Sequence, residues 1–213
     1  MLRSLSRSSP VILCREGASS RLLVIKFFSP EKKTAFHAEV KAMTSLEKFS
    51  GAPKLYFAVT HSSHSYIGMQ YCIGKPLTEF VQKLNTTSID LLANCLKSAT
   101  YDLHNNYGYV HGDMSPKNIL VQEEESDWKV SFIDWECSRP LRDQTIESYS
   151  KFQGTIGYGD LEQNPGLLKK DLQAIDDCIL FLNPNHRAQS GGGTFSWTKG
   201  LRAEFQKIAR KRK

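Results

Sequence analysis

His111-Gly112-Asp113-Met114-Ser115-Pro116-Lys117-Asn118, followed by Trp128-Lys129-Val130-Ser131-Phe132-Ile133 and then Asp134-Trp135-Glu136, is the stretch on which the reading of this chain turns. The first segment sets an Asp and an Asn a fixed short distance apart on a loop. The second delivers another Asp at the end of a β-rich run. Alone, the Asp-x-x-x-x-Asn spacing also fits a cap or a turn. Together, the three side chains form the set that phosphoryl transfer from ATP requires: a carboxylate to orient a hydroxyl and accept its proton, and oxygen ligands for Mg²⁺.

Working outward, the N-terminal part reads as strands around one helix. Val11–Cys14 and Arg21–Phe28 are β-rich and separated by a turn containing Gly17, a hairpin signal. Over 31–49, Phe36, Val40, Met43, Leu46 and Phe49 recur at helical spacing, with Pro30 near the start and Gly51-Ala52-Pro53 beyond the end. Lys54–Thr60 and Ser65–Tyr71 read as two further strands joined by a turn of His and Ser. Ile73-Gly74-Lys75-Pro76 reads as a hinge, after which helices take over at Leu77–Leu84 and Ser88–Asn106. Ile119–Val121 and Lys129–Ile133 read as short strands flanking an acidic turn over Glu123–Asp127. A β-rich lobe, a hinge and a helical lobe form an α+β architecture with a cleft suited to a cofactor.

The ordered motifs resemble the protein-kinase-like superfamily. Val24-Ile25-Lys26 ends an apolar strand as the phosphate-holding lysine of kinases does, and Glu39 lies mid-helix where kinases place its partner. The resemblance implies a bilobal protein-kinase-like fold, with residues 1–72 as a β-rich N-lobe truncated at its start. Residues 73–213 would be the hinge and a shortened, mainly helical C-lobe with a basic tail. It implies Asp113 as catalytic base, Asn118 and Asp134 as Mg²⁺ ligands, and His111 as a structural support. Met69 would sit at the adenine-side gate, with Tyr71 and Cys72 on the strand whose backbone meets adenine. Gly154-Thr155-Ile156-Gly157-Tyr158 resembles the end of an activation segment, and Asp171 the core-helix Asp that ties back to the catalytic loop. The arrangement is closest to casein kinase I-like and small fungal-type kinases. The expected cofactors are ATP and Mg²⁺, and the expected acceptor is a protein Ser/Thr hydroxyl.

The chain departs from that pattern in four places. Counting back from Val11, the glycine positions of the phosphate-covering loop hold Ser4, Ser6 and Ser9. Serine costs about 1 kcal/mol where positive φ is needed, although its amide and hydroxyl can still donate to phosphate oxygens. Gly112 replaces an arginine, so switching by activation-loop phosphorylation is not expected. Ser115 replaces a lysine aimed at the γ-phosphate, with Lys117 nearby. Asp134-Trp135-Glu136 keeps the metal-binding Asp while losing the flexible glycine, so flipping of the segment should be restricted. Two alternatives follow. One is a pseudokinase acting as a nucleotide- or protein-binding module. The other is a small-molecule phosphotransferase of the aminoglycoside or choline kinase type, which His111-Gly112-Asp113 and Ile133-Asp134-Trp135-Glu136 also resemble.

Composition bounds the rest. The 213 residues are 40% hydrophobic and 23% charged, ordinary for a globular protein. No apolar run is long enough for a membrane helix, so no membrane partner is expected. Five scattered cysteines without a C-x-x-C pair argue against a disulfide framework or a zinc site. The opening Arg- and Ser-rich stretch resembles a mitochondrial presequence but is short and runs straight into a strand, so a cytoplasmic setting is expected. Of the net charge of +6, much lies in a basic helix over 195–210 and the end Ala209-Arg210-Lys211-Arg212-Lys213. A solvated end is the plain reading of that tail, and a nuclear-import or acidic-partner patch the sharper one. Without aromatic interleaving, nucleic acid is not an expected partner.

Overall fold

The computed structural model describes residues 10–17, 21–81, 83–125, 127–141 and 165–182, the last span from 170 onward with side chains. Ser4, Ser6 and Ser9, the Gly154–Tyr158 segment and the basic tail lie outside these residues. The chain opens with a hairpin of β1 (Val11–Arg15) and β2 (Leu22–Phe28), followed by α1 (Lys33–Ser45). Next come β3 (Leu55–Thr60) and β4 (Ser65–Gln70), and the four strands form one antiparallel sheet in the order β1-β2-β4-β3. Alternation along β2 sends Lys26 and Phe28 to the face that α1 covers. There Phe28, Phe36, Met43 and Ile67 are all buried, with Phe28 and Phe36 edge-to-face at 5.5 Å.

After the sheet, Gly74 takes φ +145 beside the Val121 carbonyl, which a Cβ would approach to 3.0 Å. Glycine therefore marks the expected hinge for a steric reason. β5 (Lys75–Pro76) then pairs with β7 (Ile119–Glu124), which pairs with β8 (Asp127–Phe132). β6 (Tyr109–Val110) pairs with β9 (Arg139–Pro140). Behind these strands lie α2 (Thr86–Asn105) and α3 (Pro165–Leu182). Helix α2 turns Ile89, Leu92, Leu96 and Leu103 inward, each fully or almost fully buried. Burying one such side chain stabilises the fold by roughly 1.5–3 kcal/mol. A single apolar core runs from Phe28 under the sheet, through Phe49 and Phe132, to Ile175 on α3.

Several expected boundaries are corrected. No α-helix forms among the described residues of 77–84; Leu77–Phe80 is one 3-10 turn, and Val81 leaves it with φ −53 and ψ 124. Tertiary packing decides this: Leu77 and Val81 are buried, and Phe80 meets Trp128 edge-to-face at 5.6 Å. The first helix is shorter than 31–49 because Pro30–Lys32 is a 3-10 turn and Phe49 folds back in a turn accepted by the Leu46 carbonyl. Helix α2 starts two residues early because Asn85 caps it, accepting from the Ser88 N–H at 2.8 Å. The acidic residues Glu123, Glu124 and Asp127 belong to the β7–β8 strands themselves, where Glu124 pairs with Asp127.

Candidate active site

The pairing of β2 with α1 brings Lys26 to Glu39. The Lys26 Nζ lies 2.6 Å from Glu39 Oε2, and 2.5 Å from Oδ1 of Asp134, a residue 108 positions away. Glu136 adds a third carboxylate at 3.6 Å. Burial works against the ammonium's charge, but Glu39 and Asp134 outweigh it and hold Lys26 protonated above its ordinary range. For Glu39, fully buried, desolvation dominates and pushes the carboxyl up to about 7, with Lys26 the main opposing influence. Three carboxylates within 4.8 Å of one another could suggest a metal centre. Here the lysine ammonium already answers their charge.

Asp113 is fixed by its own loop. Asn118 Nδ2 donates to the Asp113 carbonyl at 3.0 Å and to its Oδ2 at 2.9 Å. The Ser115 N–H donates to the Asp113 carbonyl, and the Asn118 N–H to the Ser115 carbonyl. Burial raises the Asp113 carboxyl above its usual range, with Lys117 the first of the charges opposing this. Lys117 is exposed at the cavity wall beside Asn118. The Ser115 hydroxyl is buried with no hydrogen-bond partner among the described residues.

Asp171 ties this loop to α3, accepting from the His111 N–H at 2.7 Å and the Gly112 N–H at 3.0 Å. Its Oδ2 also lies 3.2 Å from His104 Nε2, on the last turn of α2. Gly112 holds φ +81, and a Cβ there would come within 2.4 Å of the Cys137 carbonyl oxygen. The residue standing in place of the family's arginine is thus the one this backbone accepts without strain. His111 is structural, as expected. It is fully buried, its Nε2 lies 3.1 Å from the Ile133 carbonyl, and its ring is 4.6 Å from that of Trp135. Burial keeps it below its ordinary pKa and hence neutral.

Asp134 takes φ +70 and ψ +67, a left-handed conformation that non-glycine residues adopt at a cost. Trp135 locks the turn from below: it is fully buried, and its indole N–H donates to the Phe132 carbonyl at 2.9 Å. A flip of this segment would have to extract the indole, in keeping with the restriction expected from the missing glycine.

These groups border a cavity of about 460 Å³. Val11, Val24, Met69 and Leu120 form apolar walls, Tyr71 and Cys72 the edge after β4, and Lys26, Asn118 and Asp134 the polar end. Met69 is buried and Tyr71 and Cys72 half-buried. The structure therefore gathers Lys26, Glu39, Met69, Tyr71, Cys72, Asn118 and Asp134 around one space, with Asp113 hydrogen-bonded to Asn118 beside it. Sequence reasoning missed Glu136 and His104. Neither carries a local signal, since each owes its place to a contact across the fold. The donor set suits Mg²⁺: Asn118 spends its amide hydrogens on Asp113, leaving its oxygen, and one Asp134 oxygen is not taken by Lys26.

A family model described as the protein kinase domain matches residues 7–162, and the chain belongs to that family. Human 3-phosphoinositide-dependent protein kinase 1 is 26% identical over 185 residues, covering 81% of this chain and 32% of the relative. The Arabidopsis thaliana protein of the same name is 26% identical over 172 residues, covering 73% and 34%. Mouse ribosomal protein S6 kinase alpha-4 is 25% identical over 135 residues, covering 62% and 17%. The chain thus spans about a third or less of these relatives, and the expected casein kinase I-like kinship finds no support among them. Among solved structures, the Cydia pomonella granulovirus kinase PK-1 aligns with a TM-score of 0.65 at 19% identity, covering 96% of this chain and 74% of that one. That likeness bears out the fold, a sheet-rich lobe joined to a helical part.

Proposed function

We propose that this chain transfers the γ-phosphoryl group of ATP to Ser/Thr hydroxyls of proteins, with Mg²⁺. The division falls at residues 72 and 73, and the setting is cytoplasmic. The observation that carries the reading is the Lys26 ammonium held between Glu39 and Asp134 at the polar end of the cavity. Adenine fits the apolar walls beside Met69, with the backbone at Tyr71 and Cys72 as its polar edge. Lys26 then faces the phosphates. Asn118 and Asp134 would hold Mg²⁺, which supplies charge neutralisation between the phosphates.

Asp113 orients the acceptor through the carboxylate oxygen that Asn118 does not engage. A bond forms between the acceptor oxygen and the γ-phosphorus as the bond to the bridging oxygen breaks. ADP leaves with that electron pair, and the acceptor's proton passes to Asp113. Its raised pKa makes Asp113 a better base than an ordinary aspartate.

Two observations favour other readings. Ser115, whose buried hydroxyl has no partner among the described residues, supplies no cation where a lysine would face the γ-phosphate, as in a binding module without turnover. Gly112, required by its backbone, fits small-molecule phosphotransferases. A melting series with ATP, with and without Mg²⁺, tests the nucleotide binding on which the enzyme reading depends. Ligand at 100 times its Kd stabilises by about 2.7 kcal/mol, and a missing shift at millimolar ATP removes the enzyme reading. Radiolabel transfer to generic proteins and to an aminoglycoside then decides the acceptor. Label on the aminoglycoside alone overturns the protein-kinase assignment.

A further inference from the structure

We infer that an open groove along α2 is the docking site of the chain's own basic segment, residues 195–210. The inference stands apart from the phosphoryl-transfer reading, because the groove shares no residue with the candidate active site. It has a volume of about 930 Å³ and runs between α2, the β7–β8 hairpin and the turn Phe49-Ser50-Gly51. Phe49, Trp128, Val130 and Ala99 give it an apolar floor, and Asp102 and Glu124 stand at its edges, with Lys129 as the one cation of the lining among the described residues. The exposed residues Glu123, Glu125 and Asp127 add to the negative charge at the hairpin end. Tyr101 is 52% exposed at the wall, and Leu91, 44% exposed, continues the same helical face by one more turn. Large apolar side chains left open above an acidic rim are the surface that a basic amphipathic helix complements.

The segment has that complementary pattern. Trp197, Leu201, Phe205 and Ile208 recur at intervals of four, four and three residues, the spacing of one helical stripe. Lys199, Arg202, Lys207 and Arg210 are interspersed with them, followed by Lys211, Arg212 and Lys213, against the single acid Glu204. A helix of this length is marginal in water, more so with Gly200 inside it, and gains its order from an apolar surface.

The packing of α3 on α2 delivers the segment to this groove. Asp171 pairs with His104, and Asp176 with Lys97, so the two helices run antiparallel. Extending that register puts the end of α3 at Leu182 beside the first turns of α2, near Leu91. From there residues 183–194 can span up to about 40 Å when extended, whereas the groove face of α2 from Asn94 to Asn106 is roughly 18 Å long. A tether of this length gives an effective concentration on the order of millimolar. An intrinsic Kd of about 100 μM would then leave the groove about 90% occupied, which favours the chain's own segment over a second copy.

The full chain is treated with a zero-length carbodiimide cross-linker at low and high salt, and the products are mapped by mass spectrometry. Links from Lys199 or Lys207 to Asp102 or Glu124, in the monomer band and lost at high salt, are expected. The triple variant Arg202→Glu, Lys207→Glu, Arg210→Glu should raise hydrogen exchange about tenfold across 119–130 and at the exposed end of α2. It should leave any ATP-induced melting shift unchanged. Links in a dimer band alone would assign the groove to a second copy and overturn the inference. Links elsewhere, no links, or unchanged exchange in the triple variant would overturn it as well. A missing ATP shift would instead count against the proposed function and leave this one standing.

Discussion

Replacing Lys26 with Met should make the protein's stability fall more steeply as pH rises above 7. Glu39 is fully buried, and its carboxyl stands at about 7 with Lys26 in place as the largest influence holding it down. Without the ammonium, Asp134 and Glu136 add to desolvation, and the carboxyl moves higher still. The sign follows from linkage. A folded pKa above the unfolded value of 4.5 gives stability that is present at low pH and lost as pH rises to the folded value. In the parent chain most of that loss is complete by pH 7, and only a small remainder is lost from pH 7.0 to 8.5. In the variant Glu39 is still protonated when folded and ionised when unfolded, so stability falls by about 1.36 kcal/mol per pH unit.

Over the same 1.5 units the variant therefore loses up to about 2 kcal/mol, or about 4–8 °C in Tm for a chain of this size. Lys26 adds no slope of its own, because its folded pKa is raised above 10.5 and its contribution is intact throughout this window. His111, lowered from 6.5, titrates below it. Melts at pH 7.0 and 8.5 and constant ionic strength provide the measurement, and adding Glu39→Gln to the variant should flatten it. If the variant melts with the parent's pH dependence, or if Glu39→Gln leaves its slope in place, Lys26 is not what keeps Glu39 ionisable and the buried pair is misread.

Three further changes probe the loop. Asp113→Asn should lower transfer by roughly 10²–10⁴-fold while the ATP-induced melting shift persists, and full activity would remove Asp113 as the base. Gly112→Ala places a Cβ against the Cys137 carbonyl at positive φ and should cost about 1–3 kcal/mol. An unchanged melt would show the turn to be unconstrained. Asp171→Ala frees the buried His111 N–H and the half-buried Gly112 N–H and should cost about 2–4 kcal/mol, seen as a Tm lower by about 4 °C or more, with transfer lost although Asp171 does not border the cavity of about 460 Å³. Transfer at the parent's rate in a folded variant would separate the anchor from the chemistry.

Lys26 and Glu39 were legible through their resemblance to the ordered kinase motifs, and the local periods of the fold give the physical reason. Lys26 faces α1 because β2 alternates, and Glu39 faces back because Phe36, Glu39 and Met43 share one buried face of α1. Asp113 and Asn118 were legible from the same motifs, and four intervening residues with a proline bring the two side chains together. The segment 77–84 was not. Its apolar spacing suits a helix, but Val81 turns extended so that Phe80 can reach Trp128. His104 and Glu136 were invisible because their partners, Asp171 and Lys26, are distant in sequence.

The Asp134-Trp135-Glu136 turn shows why substituted motif positions should be read with their packing. In sequence the lost glycine implied only that flipping of the segment is restricted. In the fold, Trp135 fills the space between His111 and Phe49, and Glu136 reaches towards Lys26 from the glycine's position. Both residues hold Asp134 in its strained left-handed turn with a carboxylate oxygen on Lys26. Gly112 follows the same logic in reverse, with an arginine's charge absent and a steric conflict at Cys137 absent with it. The two departures lie on either side of one contact, where the loop bearing Asp113 meets the turn bearing Asp134. They act together to fix that contact in one geometry, which is the physical basis for expecting a site assembled without a switch.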